Sequence, residues 1–251
     1  MLAVRPYLRG LGFVTLTLPL IPVQQILLWL APPAARHLPH YYHRLVCRII
    51  GIRLKVEGER PEGAVLLVSN HVSWADIPVL SGALPVSFVA KAEVGSWPFF
   101  GTLARLQRSV FIDRQRRHQT GKSRDELTER LNLKDALVLF PEGTSHNGKQ
   151  VLSFKSSYFG AVEQSEIPVV PVILAYRLVN GLPVTGRQRP SLAWYGDMDL
   201  LPHLWHFLKQ GPVEVTVRFL EPLAPSNRKQ LASAAEAQIR AGLVEILHGR
   251  P

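Results

Sequence analysis

His71 and Asp76 stand five residues apart in Ser69-Asn70-His71-Val72-Ser73-Trp74-Ala75-Asp76, directly after the apolar run Ala64-Val65-Leu66-Leu67-Val68. An imidazole beside a carboxylate is the pairing used to take a proton from a hydroxyl, because the acid fixes the tautomer and stabilises the imidazolium. On one regular helix the two would lie about 140° apart, so they can meet only across a strand-to-helix turn. With Ser73 as N-cap, Asp76 falls in the first helical turn and its carboxylate can point back to His71. The same spacing is also a capping box, in which the acid merely satisfies the Ser73 N–H and His71 is a turn residue. Spacing alone leaves both readings open.

A second cluster, Val138-Leu139-Phe140-Pro141-Glu142-Gly143-Thr144-Ser145, is a buried-type strand stopped by proline and opening into a glycine turn whose free N–H groups suit an oxyanion or phosphate. Residues 143–150 miss a nucleotide phosphate loop by one residue, since Gln150 has no hydroxyl for Mg²⁺. A third cluster ends a short strand at Val110-Phe111-Ile112 and continues Asp113-Arg114-Gln115-Arg116-Arg117; Arg114 is placed for bidentate contact with phosphate or carboxylate. No G-x-S-x-G elbow is present to carry a serine nucleophile. His37, His40 and His43 lack carboxylates at ligand spacing, so no metal site is expected.

The elements that must position these clusters read as an α/β domain. Strands are expected at 53–56, 64–69, 86–90, 110–112, 136–140, 169–174, 191–195 and 213–219, and helices at 41–50, 74–84, 97–106, 117–133, 155–166, 201–208 and 228–247. Their alternation predicts a single domain with a central mixed, mainly parallel sheet flanked by helices. Segment 177–190 reads as a surface loop.

Residues 10–35 carry no charged side chain, which is long enough to enter or cross a bilayer. Pro19 and Pro22 interrupt this stretch and both flanks are basic, so it is expected as a kinked span or as two short helices dipping into one leaflet. The division is thus 1–48 as a membrane-associated helical segment and 49–251 as the α/β domain that carries the clusters. In the 251-residue chain, 29 Lys and Arg against 19 Asp and Glu leave a net charge of +10, which favours an anionic partner. The basic run lacks interleaved aromatics and any nucleic-acid motif, which points away from nucleic acid and toward an acidic membrane face. At 47% hydrophobic and 19% charged residues the chain is not disordered, and the lone Cys47 excludes an intrachain disulfide.

In this order the clusters resemble the 1-acyl-sn-glycerol-3-phosphate acyltransferase (lysophospholipid acyltransferase) family. Asn70, His71 and Asp76 match its N-H-x4-D block, Phe111, Ile112 and Arg114 its F-I-x-R block, Phe140 to Thr144 its F-P-E-G-T block, and Ile167-Pro168-Val169-Val170-Pro171-Val172 its late apolar block. The resemblance implies direct acyl transfer from an acyl thioester, on acyl carrier protein or coenzyme A, to the free hydroxyl of a lysolipid, with no resident cofactor. It further implies His71 as general base and Asp76 as its orienting acid. Lys91 is implied on the oxyanion or acyl-donor side, and Arg114, Glu142, Gly143 and Thr144 in the acceptor head-group site. Where many relatives carry Arg after F-P-E-G-T this chain has Ser145, and with residues 91–98 and 143–157 it is similar to the lyso-ornithine lipid O-acyltransferase branch. A bacterial inner-membrane protein with its catalytic domain facing the cytoplasm is then expected.

Overall fold

The computed structural model describes residues 4–112, 120–163 and 165–249, with the backbone alone for 120–124. Two helices open the chain, α1 (Arg5–Leu30) and α2 (Pro32–Ile50). There follow β1 (Ile52–Glu57), β2 (Val65–Ser69), α3 (Asp76–Ala83), β3 (Ser87–Lys91), α4 (Phe100–Leu106), β4 (Val110–Ile112), α5 (Thr120–Asn132) and β5 (Ala136–Leu139). The chain ends with β6 (Val169–Val179), β7 (Leu182–Pro183), α6 (Leu200–Lys209), β8 (Val213–Phe219) and α7 (Arg228–His248).

The strands form one sheet in the order β1-β8-β6-β2-β5-β3-β4, with β7 a short antiparallel addition to β6. From β6 through β4 every pairing is parallel, and β8 and β1 run against them, so the expected mixed, mainly parallel α/β sheet is what the chain forms. All five residues of β2 are buried, as are nearly all of β5 and β6, because helices cover both faces. One apolar layer packs α2, α3 and α6 against the sheet; the other packs α5 and α7. The parallel run also aligns the C-terminal ends of β2, β3, β4 and β5 on one edge, where crevices in open α/β sheets form. The first two sequence clusters follow the ends of β2 and β5, and the third begins in β4.

Five local expectations change. Segment 177–190 is not all loop: β6 runs on to Val179 and β7 pairs back onto it at Leu182–Pro183. Segment 191–195 is not a strand: Arg189–Ser191 is a 3-10 turn and the chain then runs irregularly beside the site. In place of the helix expected at 155–166 there is a 3-10 turn, Ser156–Ala161. The helix expected at 97–106 is confined to α4, preceded by a 3-10 turn at Ala92–Ser96. At the N-terminus α1 runs unbroken through Pro19 and Pro22, and α2 starts at Pro32 rather than near Tyr41.

α1 is amphipathic in reverse. Its buried side chains include Thr17 and Gln24, seven residues apart on one face, whereas Leu8, Leu11, Val14, Leu18, Ile26 and Trp29 face outward. The polar residues hold the helix to the body: Thr17 Oγ1 lies 2.9 Å from the Tyr42 hydroxyl, and the Gln24 amide donates to Ala35 O and, in α4, Leu106 O. At the other end Arg9 donates to the carbonyls of Leu208 and Gln210 at the end of α6, at 3.0 and 2.8 Å.

Candidate active site

β2 ends at Ser69, and Asn70 closes its ladder to β6 with a side chain acting as a peptide group. The amide donates to Leu174 O and accepts from Leu174 N–H, both at 2.9 Å, in a fully buried position. This seam sets the direction in which the chain leaves the sheet. His71 comes next, its ring stacked on Phe140 with centroids 4.1 Å apart.

Asp76, the first residue of α3, has no exposed surface, and each of its oxygens is occupied. Oδ2 accepts from His71 Nδ1 at 2.7 Å, Val72 N–H at 2.6 Å and Ser73 N–H at 3.0 Å. Oδ1 accepts from the Tyr176 hydroxyl of β6 at 2.7 Å. Four donors replace the water the carboxylate has lost. The capping and dyad readings therefore coexist on one oxygen, across the turn that the five-residue spacing demands; the Ser73 side chain itself makes no cap.

Bonding to the carboxylate assigns the ring hydrogen to Nδ1 and leaves Nε2 as the basic nitrogen. Among the described residues Nε2 has no hydrogen-bond partner, and the side chain is 19% exposed. Tyr176 has its pKa pushed well up, chiefly by burial and next by the adjacent Asp76 charge, so it remains a donor.

Glu142 is 3% exposed. Its carboxylate is buried beneath His71, accepting from His71 N–H at 3.1 Å, Leu152 N–H at 3.3 Å and His146 Nε2 at 2.9 Å. His146 Nδ1 accepts from Gly148 N–H, so Nε2 carries the hydrogen given to Glu142. His146 N–H also donates to His71 O, so the 142–148 loop grips the backbone of His71 from both sides.

Gly143 turns with φ +77°, and a Cβ there would lie 2.9 Å from Lys155 Nζ, which places a cationic side chain against the glycine turn. Thr144 is exposed at the same turn. Ser145 Oγ donates to Trp194 O, and Trp194 N–H donates to Val72 O, so the irregular 192–199 segment forms a wall next to His71. Trp97 meets Trp194 edge-on at 6.1 Å. Lys91 ends β3, exposed, on the same sheet edge but with β5 between it and β2, about 10 Å away at ordinary strand spacing. Arg114 lies outside the described residues. His71, Asp76, Glu142 and Gly143 are thus in one place. Tyr176, Asn70, His146 and Lys155 join them, and only Asn70 carried a sequence signal, through its motif.

Residues 53–175 match the model of the Acyltransferase family. The lyso-ornithine lipid O-acyltransferase of Brucella abortus is 44% identical, with 98% of this chain and 97% of that protein covered. That of Rhizobium meliloti is 43% identical over 98% of this chain and 88% of its own. The 1-acyl-sn-glycerol-3-phosphate acyltransferase of Neisseria meningitidis is 31% identical over 79% of this chain and 77% of its own. The crystal structure of the 1-acyl-sn-glycerophosphate acyltransferase PlsC from Thermotoga maritima shares the fold with a TM-score of 0.72 at 22% identity, covering 100% of this chain and 99% of that one. Matched almost end to end by the Brucella and Rhizobium proteins, this chain belongs to the acyltransferase family.

Proposed function

We propose that this acyltransferase moves a fatty acyl group from an acyl thioester to the hydroxyl of a lysolipid, with lyso-ornithine lipid as acceptor and His71 as general base. The observation that carries the mechanism is the 2.7 Å contact between His71 Nδ1 and a fully buried Asp76. Nε2 takes the hydroxyl proton as the oxygen bonds to the thioester carbonyl carbon. The tetrahedral adduct then expels the thiolate, which takes the proton back from the imidazolium; ester and free thiol are the products. No acyl-enzyme is required. Lys91 is our candidate for charge on the donor side, and Arg114, Gly143 and Thr144 for the acceptor head-group, with Glu142 holding His71 rather than substrate. Acyl carrier protein and coenzyme A are both acidic donors suited to a chain of net charge +10.

The acceptor assignment is supported by the near-full-length similarity to lyso-ornithine lipid O-acyltransferases and by Ser145, whose hydroxyl is spent on Trp194 O where a phosphate-gripping arginine would otherwise stand. A specific observation favours 1-acyl-sn-glycerol-3-phosphate as second acceptor, since Lys155 Nζ crowds the Gly143 turn where an anion fits.

The exposed apolar face of α1 supports seating on a membrane, and the bonds from both of its ends to one catalytic body favour a helix lying in one leaflet over one that spans. The cytoplasmic face of a bacterial inner membrane is the place we assign it, since the thioester donors are cytoplasmic. Supplying the two lysolipids separately with one labelled donor tests the reading: product from lyso-ornithine lipid is expected, formed at least about a hundredfold more slowly by His71→Ala. Product from neither acceptor with the intact chain would overturn it.

A further inference from the structure

A cavity of about 380 Å³ opens on the sheet edge opposite His71, where β3 and β5 begin. The first turns of α2 (Arg36, His37), the loop at Glu62, and Arg108 and Lys134 ahead of β4 and β5 line it. At its floor lies Asp135, 4% exposed, with three guanidiniums on one carboxylate. Arg108 bonds it with both terminal nitrogens at 3.1 and 2.8 Å, Arg130 through Nε at 2.5 Å, and Arg36 Nε stands at 3.4 Å. Arg130 and Arg108 are further fixed by bonds from Arg130 to Ser87 Oγ and Arg108 O.

One carboxylate cannot balance three arginines. With Lys134 added and Glu62 set against it, this end of the sheet keeps a formal excess of two positive charges among the described residues. Arg108 and Arg130 are only 19% and 16% exposed, so water screens this excess poorly. Asp135 orients the guanidiniums; it does not neutralise them. Planar, pre-oriented guanidiniums beside an ammonium make a match for tetrahedral oxyanions.

We propose that this cavity binds a phosphate group, carried by an anionic lipid headgroup or supplied as free phosphate, at a place separate from His71 and Asp76. The lipid source has a route: α1 ends in Trp29 and Leu30, 83% and 65% exposed, and Arg36 follows on the first turns of α2. A lipid packed against that end of α1 carries its headgroup toward the cavity. Binding there would tie α2, β3 and β5 together through the ligand and make the membrane's charge part of the fold's stability.

The test uses the full-length chain in zwitterionic micelles, with thermal unfolding followed at matched ionic strength in phosphate or chloride. Phosphate is expected to raise the midpoint for the intact chain, and the double variant His37→Gln/Lys134→Asn to need at least tenfold more phosphate for the same rise. Both changes sit at the rim and leave Asp135 its arginines, and Asn tolerates the left-handed backbone of residue 134; Arg36→Gln is the second variant. Both are expected to keep acyl transfer in neutral micelles. Phosphatidylcholine vesicles with and without phosphatidylglycerol separate the sources: stabilisation by phosphatidylglycerol that the double variant loses assigns the headgroup, and phosphate-only stabilisation assigns the free anion. No stabilisation of the intact chain by either, or equal stabilisation of the intact chain and the double variant, overturns the proposal.

Discussion

His71 works as a base only while Asp76 stays charged and aimed at Nδ1, and Tyr176 guards the half of that carboxylate that the 71–76 turn cannot reach. Tyr176→Phe removes one donor from a buried anion. The carboxylate is then held on one side only, by the 71–76 turn, and the imidazole it orients is less firmly aimed at the substrate hydroxyl. A hydrogen bond to a charged group is worth about 1.5–3 kcal/mol, so kcat is expected to fall roughly tenfold or more with the acceptor KM unchanged. An unchanged kcat, or a loss seen in the acceptor KM alone, would remove Tyr176 from the mechanism. His71→Ala is expected to cost about 10²- to 10⁴-fold in turnover, with circular dichroism unaltered. Glu142→Gln separates two roles: beneath His71 it is expected to lower kcat, whereas a head-group ligand would raise the acceptor KM. The spacing of His71 and Asp76 was legible because it is local, five residues across one turn, but it left capping and dyad open until the motif resemblance chose between them. Tyr176 and Leu174, about a hundred residues downstream, become neighbours of Asp76 and Asn70 only when β6 pairs with β2.

At the scale of elements, the junction of α2 with α3 is sensitive to acid. His40 Nδ1 donates to Ser81 O at 2.7 Å, and His43 Nδ1 lies 2.8 Å from Ser81 Oγ. Burial lowers both, His43 to about 3 from the ordinary 6.5. The unfolded chain therefore binds protons that the folded one refuses. The stability these neutral histidines represent is complete above about pH 6.5 and is lost progressively as pH falls from there toward 3. Thermal midpoints measured across that window are expected to drop, and His43→Asn to flatten the drop; an unchanged slope in that variant would exclude His43 as its source. The elements themselves were readable to different degrees. Buried strands such as β2 and β5 announce themselves as apolar runs bounded by turn residues. The 191–195 segment has the same composition but becomes an irregular wall, because it ties to Val72 O and Ser145 rather than to a ladder.

Across the whole molecule, α1 is tied at Arg9 to the end of α6 and at Gln24 to α4, so a helix about 39 Å long lies along the body instead of leading away from it. A tag ahead of α1 and a tag after α7 are therefore expected on the same side of a sealed vesicle, both open to protease. Opposite sides would mean that α1 spans. Deleting residues 1–30 is expected to release the chain from vesicles and to expose the α2 face that holds Tyr42.

From the sequence alone came the α/β class, the order of the clusters and the apolar N-terminal stretch, because each is written in periodicity or short-range spacing; the His71–Asp76 partnership was one of two readings the spacing left open, and the motif resemblance chose it. Tertiary structure decided the rest. Only the parallel alignment of β2, β3, β4 and β5 brings separate clusters to one edge, and only strand pairing supplies Tyr176 to Asp76. Only side-chain packing turns Glu142 inward, lays α1 along the catalytic body and gathers Arg36, Arg108 and Arg130 around Asp135. Contacts between residues far apart along a chain leave no periodic trace in it, since loop closure and packing select them only once the whole sheet has formed.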